Sequence, residues 1–130
     1  MPHYTALVTL LAIAFYFFLA TQVARARVKF GVTHPATTGH PDFELIFRVH
    51  VNTLEWLPTF LVPLWLFAIT LSDAGAAAVG LVWVVGRVVY FLGYRKAPEK
   101  RLPGFFIQLS ACAVLFVGAL VGVVLRLSGG

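Results

Sequence analysis

Residues 48 to 63 read Arg48-Val-His-Val-Asn-Thr-Leu-Glu-Trp-Leu-Pro-Thr-Phe-Leu-Val-Pro63, an apolar run of membrane-helix character that also carries an arginine, a histidine, an asparagine and a glutamate. Each charged group placed at the centre of a transmembrane helix costs about 2.5–3.5 kcal/mol on insertion scales, so such residues face a partner or a wet cavity and mark functional positions. Arg48, Asn52 and Glu55 stand at i, i+4 and i+7, which puts them on one face of an α-helix. A stripe of mixed charge on an apolar rod suits a zwitterionic ligand held at the edge of a bilayer. A plainer alternative stands beside it: Arg48 snorkels to the interface and Glu55 pairs with an arginine of another helix.

Working outward, the 130 residues are 60% hydrophobic and 12% charged, with a mean hydropathy of +0.90, which excludes an ordinary soluble domain. Four apolar runs approach the length needed to cross a bilayer: Tyr4 to Ala24, Phe43 to Leu71, Gly75 to Tyr94 and Phe105 to Leu127. The fold class expected is an all-α integral membrane protein, one domain over residues 1–130, with four transmembrane helices at about 4–29, 42–71, 74–95 and 104–127. The first run lacks a basic segment ahead of it and is followed by Arg25, Arg27 and Lys29, so it is expected to be kept rather than cleaved. The single cysteine, Cys112, lies in the last run and has no partner for an internal disulfide.

A formal charge of +5 raises the question of nucleic acid, but nine of the ten Lys and Arg lie between Arg25 and Arg101, most of them in the loops after helices one and three. That is the positive-inside pattern of a polytopic protein. It places both basic loops in the cytoplasm and the termini, with the Ser72-Asp73 turn, on the opposite side, and it points to membrane lipids rather than nucleic acid as partners.

The loop from Gly31 to Asp42 is rich in turn formers, and Asp42 after Pro41 is the expected N-cap of helix two. Pro58 and Pro63 are expected to kink that helix. Helix three then carries a second polar stripe, Arg87, Tyr90 and Tyr94 at i, i+3 and i+7, near the same end of the membrane as the first. Two helices offering complementary polar groups at one depth favour a shared site over either stripe as glue. The four histidines, His3, His34, His40 and His50, are dispersed, so no metal site is expected, and neither a phosphate loop nor a nucleophile elbow is present.

These residues resemble the MAPEG family, the membrane-associated proteins in eicosanoid and glutathione metabolism. Arg48-Val-His-Val-Asn52-Thr-Leu-Glu55-Trp56-Leu-Pro58 is similar to the family's R-x-x-x-N-x-x-E-x-x-P, and Arg87-Val-Val-Tyr90-Phe-Leu-Gly93-Tyr94, followed by Arg101, is similar to its R-x-x-Y-x-x-G-Y and downstream arginine. The resemblance covers nearly the whole chain. It implies a homotrimer with glutathione bound between subunits near the cytoplasmic side as co-substrate. Arg48, Asn52, Glu55, Tyr90 and Tyr94 would hold the tripeptide, and Arg101 would face its sulfur as the catalytic residue. His50 stands where many members have glutamine, Trp56 where several have tyrosine, and Arg27 is carried over from a paired arginine motif that is split here as Arg25-Ala26-Arg27.

The side chains suit these roles on their own terms. Arginine binds carboxylates in a bidentate fork, a glutamate accepts from an ammonium, and a fixed cation lowers the pKa of a thiol from about 8.5. The expected activity is conjugation of glutathione to hydrophobic electrophiles, or reduction of lipid hydroperoxides, arriving from the bilayer. A lipid-binding scaffold of the same fold is the competing reading, and the complete polar set argues against it. A channel would need polar residues through the full membrane depth, whereas the outer halves of these helices are nearly all apolar.

Overall fold

The computed structural model describes residues 1–129, and four long helices fill most of them: α1 (His3–Phe30), α2 (Pro41–Thr70), α3 (Asp73–Tyr94) and α4 (Leu102–Gly129). Each is long and apolar enough to cross a membrane, and the chain is an integral, multi-pass membrane protein. A 3₁₀ turn at Pro98–Arg101, not anticipated from sequence, leads directly into α4.

Local chemistry fixes the helix ends. The N-cap of α2 is His40, not Asp42: its Nδ1 accepts from the Asp42 backbone N–H at 3.1 Å, Pro41 fills the first turn, and Asp42 adds negative charge there. Ser72 caps α3 by accepting from Gly75 N–H at 2.9 Å. Gly31, at φ 67, closes α1 in the left-handed conformation that glycine adopts without strain. α2 continues as one helix through Pro58 and Pro63.

The core runs along the bundle axis. Phe60 of α2 stacks on Trp83 of α3 with ring centroids 3.9 Å apart, among Leu57, Leu64, Ala111 and Leu115. Cys112 is buried in this cluster. α3 packs most extensively on α4, and Gly86 is why the two backbones can meet: a Cβ there would stand 2.7 Å from the Gln108 backbone nitrogen. The outward faces are apolar, with Phe17, Leu66, Phe116 and Val117 all exposed, as a lipid-facing surface requires.

At the end of the bundle holding the N-terminus, the Asp73 carboxylate accepts from the backbone N–H groups of Tyr4 (3.1 Å) and Thr5 (2.8 Å), joining the starts of α1 and α3. Trp65 Nε1 donates to Thr9 Oγ1 at 2.9 Å and links α2 to α1. The site described next lies toward the other end.

Candidate functional site

The α2 stripe forms as its spacing requires. Arg48 Nη2 and Glu55 Oε1 lie 3.9 Å apart along one helix face, and each side chain is 56% exposed. Asn52 stands between them, half-buried, its Oδ1 enclosed and without a hydrogen-bond partner. An enclosed amide oxygen with nothing to accept from has capacity for a donor.

The α3 stripe converges on the same region. Tyr90 is buried against Val49 of α2, with Tyr94 and Phe105 packed on the same cluster. The Tyr90 and Tyr94 rings are 5.4 Å apart. Trp56 meets Phe105 edge-on at 6.2 Å, so the α2 stripe, the two tyrosines and the start of α4 share one apolar floor. Arg101 comes from the 3₁₀ turn, where Nη1 donates to the Pro98 carbonyl at 2.7 Å and the guanidinium sits 6.0 Å from the Tyr94 ring.

Arg48, Asn52, Glu55, Trp56, Tyr90, Tyr94 and Arg101 are thereby carried on neighbouring stretches of α2, α3 and the 3₁₀ turn, linked through Val49, Trp56 and Phe105. Two other candidate residues are not. His50 projects from a different face of α2 and stacks on Tyr16 of α1, centroids 4.8 Å apart and planes 10° from parallel. Arg27 lies over Phe43 at 4.9 Å and donates to the carbonyls of Ala36 (2.7 Å) and Val32 (3.4 Å). Within the subunit those bonds pin the first loop.

Sequence reasoning gave no separate role to a group deeper in the bundle. Arg87 is fully buried; Nη2 donates to Thr53 Oγ1 at 2.6 Å, and the guanidinium lies 4.3 Å from the Tyr90 ring centroid. Arg87 was visible as part of the α3 stripe, and Gln108, also fully buried, as the one amide in the last apolar run. Thr53 carries no such signal, since a threonine in a membrane helix usually bonds back to its own backbone, as Thr53 also does to Val49.

The arrangement exposes a cation and a carboxylate, Arg48 and Glu55, with the Asn52 amide oxygen enclosed between them and the Tyr90 phenol buried behind. The MAPEG family model matches residues 5–121. Human microsomal glutathione S-transferase 2 is 40% identical over 116 residues, covering 88% of this chain and 79% of the relative. Bovine leukotriene C4 synthase is 38% identical over 117 residues, covering 90% and 78%. An uncharacterized protein of Synechocystis is 48% identical over 122 residues, covering 94% and 89%. The chain therefore belongs to the MAPEG family.

Proposed function

We propose that this protein is a glutathione-dependent membrane enzyme, in which Arg101 stabilises the glutathione thiolate for attack on hydrophobic electrophiles or lipid hydroperoxides. The observation that supports this reading is that the exposed Arg48-Glu55 pair flanks the stretch of α2 whose Val49 packs in one cluster with Tyr90 and Tyr94, beside the turn that carries Arg101. The glutathione-related names of the family relatives support it.

Arg48 pairs with a glutathione carboxylate, Glu55 with its ammonium, and Asn52 with a peptide N–H. Arg101 and the tyrosines face the sulfur. In conjugation, the thiolate donates an electron pair to an electrophilic carbon, the C–S bond forms, and the leaving group departs with its bonding pair. With a hydroperoxide, the thiolate attacks the terminal oxygen and the O–O bond breaks. The alkoxide takes a proton, and a second glutathione converts the sulfenic acid to the disulfide and water.

The polar face at Arg48 and Glu55 is open in one subunit, which fits closure by a neighbouring copy in a homotrimer. With the basic loops on the cytoplasmic side, the site opens toward the compartment that supplies glutathione, while the second substrate enters from lipid between helices. Glutathione titrated calorimetrically into the detergent-purified protein tests the reading: saturable binding supports it, and none, together with retained lipid binding, favours the scaffold.

A further inference from the structure

The bundle encloses a cation with no counter-ion. Arg87 is 0% exposed and lies about two turns inside the C-terminal end of α3, its side chain turned into the bundle rather than out to water. One hydrogen bond, to Thr53, is all that it makes, and Nε and Nη1 are buried without partners. The chain has five acidic residues. Glu55 pairs with Arg48, Glu44 accepts from Gly39 N–H, and Asp73 binds the start of α1 at the far end. Asp42, in the first turn of α2, and Glu99, in the 3₁₀ turn, are exposed. Among the described residues no carboxylate comes within 4.0 Å of Arg87.

A buried charge without a partner costs several kcal/mol and is retained where something anionic answers it. On the side of the candidate site the guanidinium faces the Tyr90 ring at 4.3 Å. The Tyr90 ring in turn lies 5.4 Å from that of Tyr94, which the Arg101 guanidinium faces at 6.0 Å.

We infer that Arg87 is a positioning residue whose buried positive charge acts through Tyr90 to hold the bound glutathione sulfur as the thiolate, the thiol proton leaving to solvent. This rests on the glutathione reading above. The cation fixes the Tyr90 ring by its face, so that the hydroxyl is presented to the sulfur, and it adds a positive potential that salt cannot reach. Other ionisable groups on the packed elements are Tyr16 of α1, Arg48, His50 and Glu55 of α2, Tyr94 of α3, Arg101 of the 3₁₀ turn and Cys112 of α4. With Glu55 engaged by Arg48, Arg87 and Arg101 leave this set net positive.

The test follows the ultraviolet thiolate absorbance of glutathione against pH, on the full chain in detergent, for the wild type, Arg87→Gln and Arg87→Lys, with affinity measured in parallel. A unit charge about 10 Å from the sulfur at an effective dielectric of about 20 moves its midpoint by about one pH unit. Arg87→Gln is expected to raise the midpoint by that amount, and Arg87→Lys to restore most of it. An unchanged midpoint in a folded, glutathione-binding Arg87→Gln protein overturns the inference and leaves Arg87 as a clamp between α2 and α3. If Arg87→Gln does not fold, the pH titration of Arg101→Ala decides: a midpoint still below that of free glutathione at high salt supports the buried cation, and complete return to the value of free glutathione overturns it. A wild type with neither a thiolate band nor glutathione binding overturns the functional reading itself, which sets that outcome apart from failure of the Arg87 role.

Discussion

Arg48 and Glu55, two turns apart on α2, approach to 3.9 Å while each keeps 56% of its side chain exposed. An ion pair this open in a membrane-crossing helix is not a closed lock, because both groups retain hydrogen-bonding capacity toward whatever covers that face. Glu55→Gln keeps the shape and removes the charge that meets an ammonium. Hydrogen bonds to charged groups contribute about 1.5–3 kcal/mol, so glutathione affinity should fall by roughly tenfold to a hundredfold by calorimetry. Unchanged affinity would return Glu55 to a structural role.

Thr53 accepts the one hydrogen bond that buried Arg87 makes. Thr53→Val leaves that guanidinium wholly unpaired, which costs about 1–3 kcal/mol or more. The thermal midpoint in detergent should fall by several degrees, and Thr53→Ser should recover most of the loss. A Thr53→Val protein as stable as the wild type would show that Arg87 is satisfied by some other group.

Gly93 of α3 lies directly under the Lys100 carbonyl, where a Cβ would collide with the backbone of the turn that carries Arg101. Gly93→Ala should therefore displace Arg101 while leaving Arg48, Asn52 and Glu55 in place. The expected result is a lower kcat with glutathione affinity changed little. Loss of affinity equal to the loss of kcat would mean that the turn also builds the peptide-binding part of the site.

Asp73 ties α1 to α3 at the end of the bundle remote from the site. Asp73→Ala removes the acceptor for two backbone N–H groups and should lower the thermal midpoint in detergent. The thiolate spectrum of bound glutathione should not move. A shifted spectrum would show that the two ends of the bundle are coupled.

The helices were legible because continuous apolar runs leave few alternatives, and the two stripes because i, i+4, i+7 and i, i+3, i+7 spacings map onto a helix face without knowledge of packing. Asp42 failed as a cap because an acidic residue near a helix start serves two purposes, and here it lies inside the first turn while the His40 imidazole accepts its N–H. The 3₁₀ turn that places Arg101 was hidden in a charged loop whose composition suits any connection. The separation of His50 from the stripe follows from its position two residues after Arg48, roughly 200° around the helix. The Arg87-Thr53 bond joins residues 34 positions apart and depends on which helix faces pack, which no local pattern encodes.

The most direct test of the central claim is the ultraviolet thiolate absorbance of glutathione added at neutral pH to the purified protein, with Arg101→Ala beside it. The expected result is a band that grows saturably in the wild type and is lost in Arg101→Ala, while calorimetry still detects glutathione binding to the variant. A band of equal height in Arg101→Ala, or no band in a wild type that binds glutathione, would contradict the assignment of Arg101 as the group that holds the thiolate.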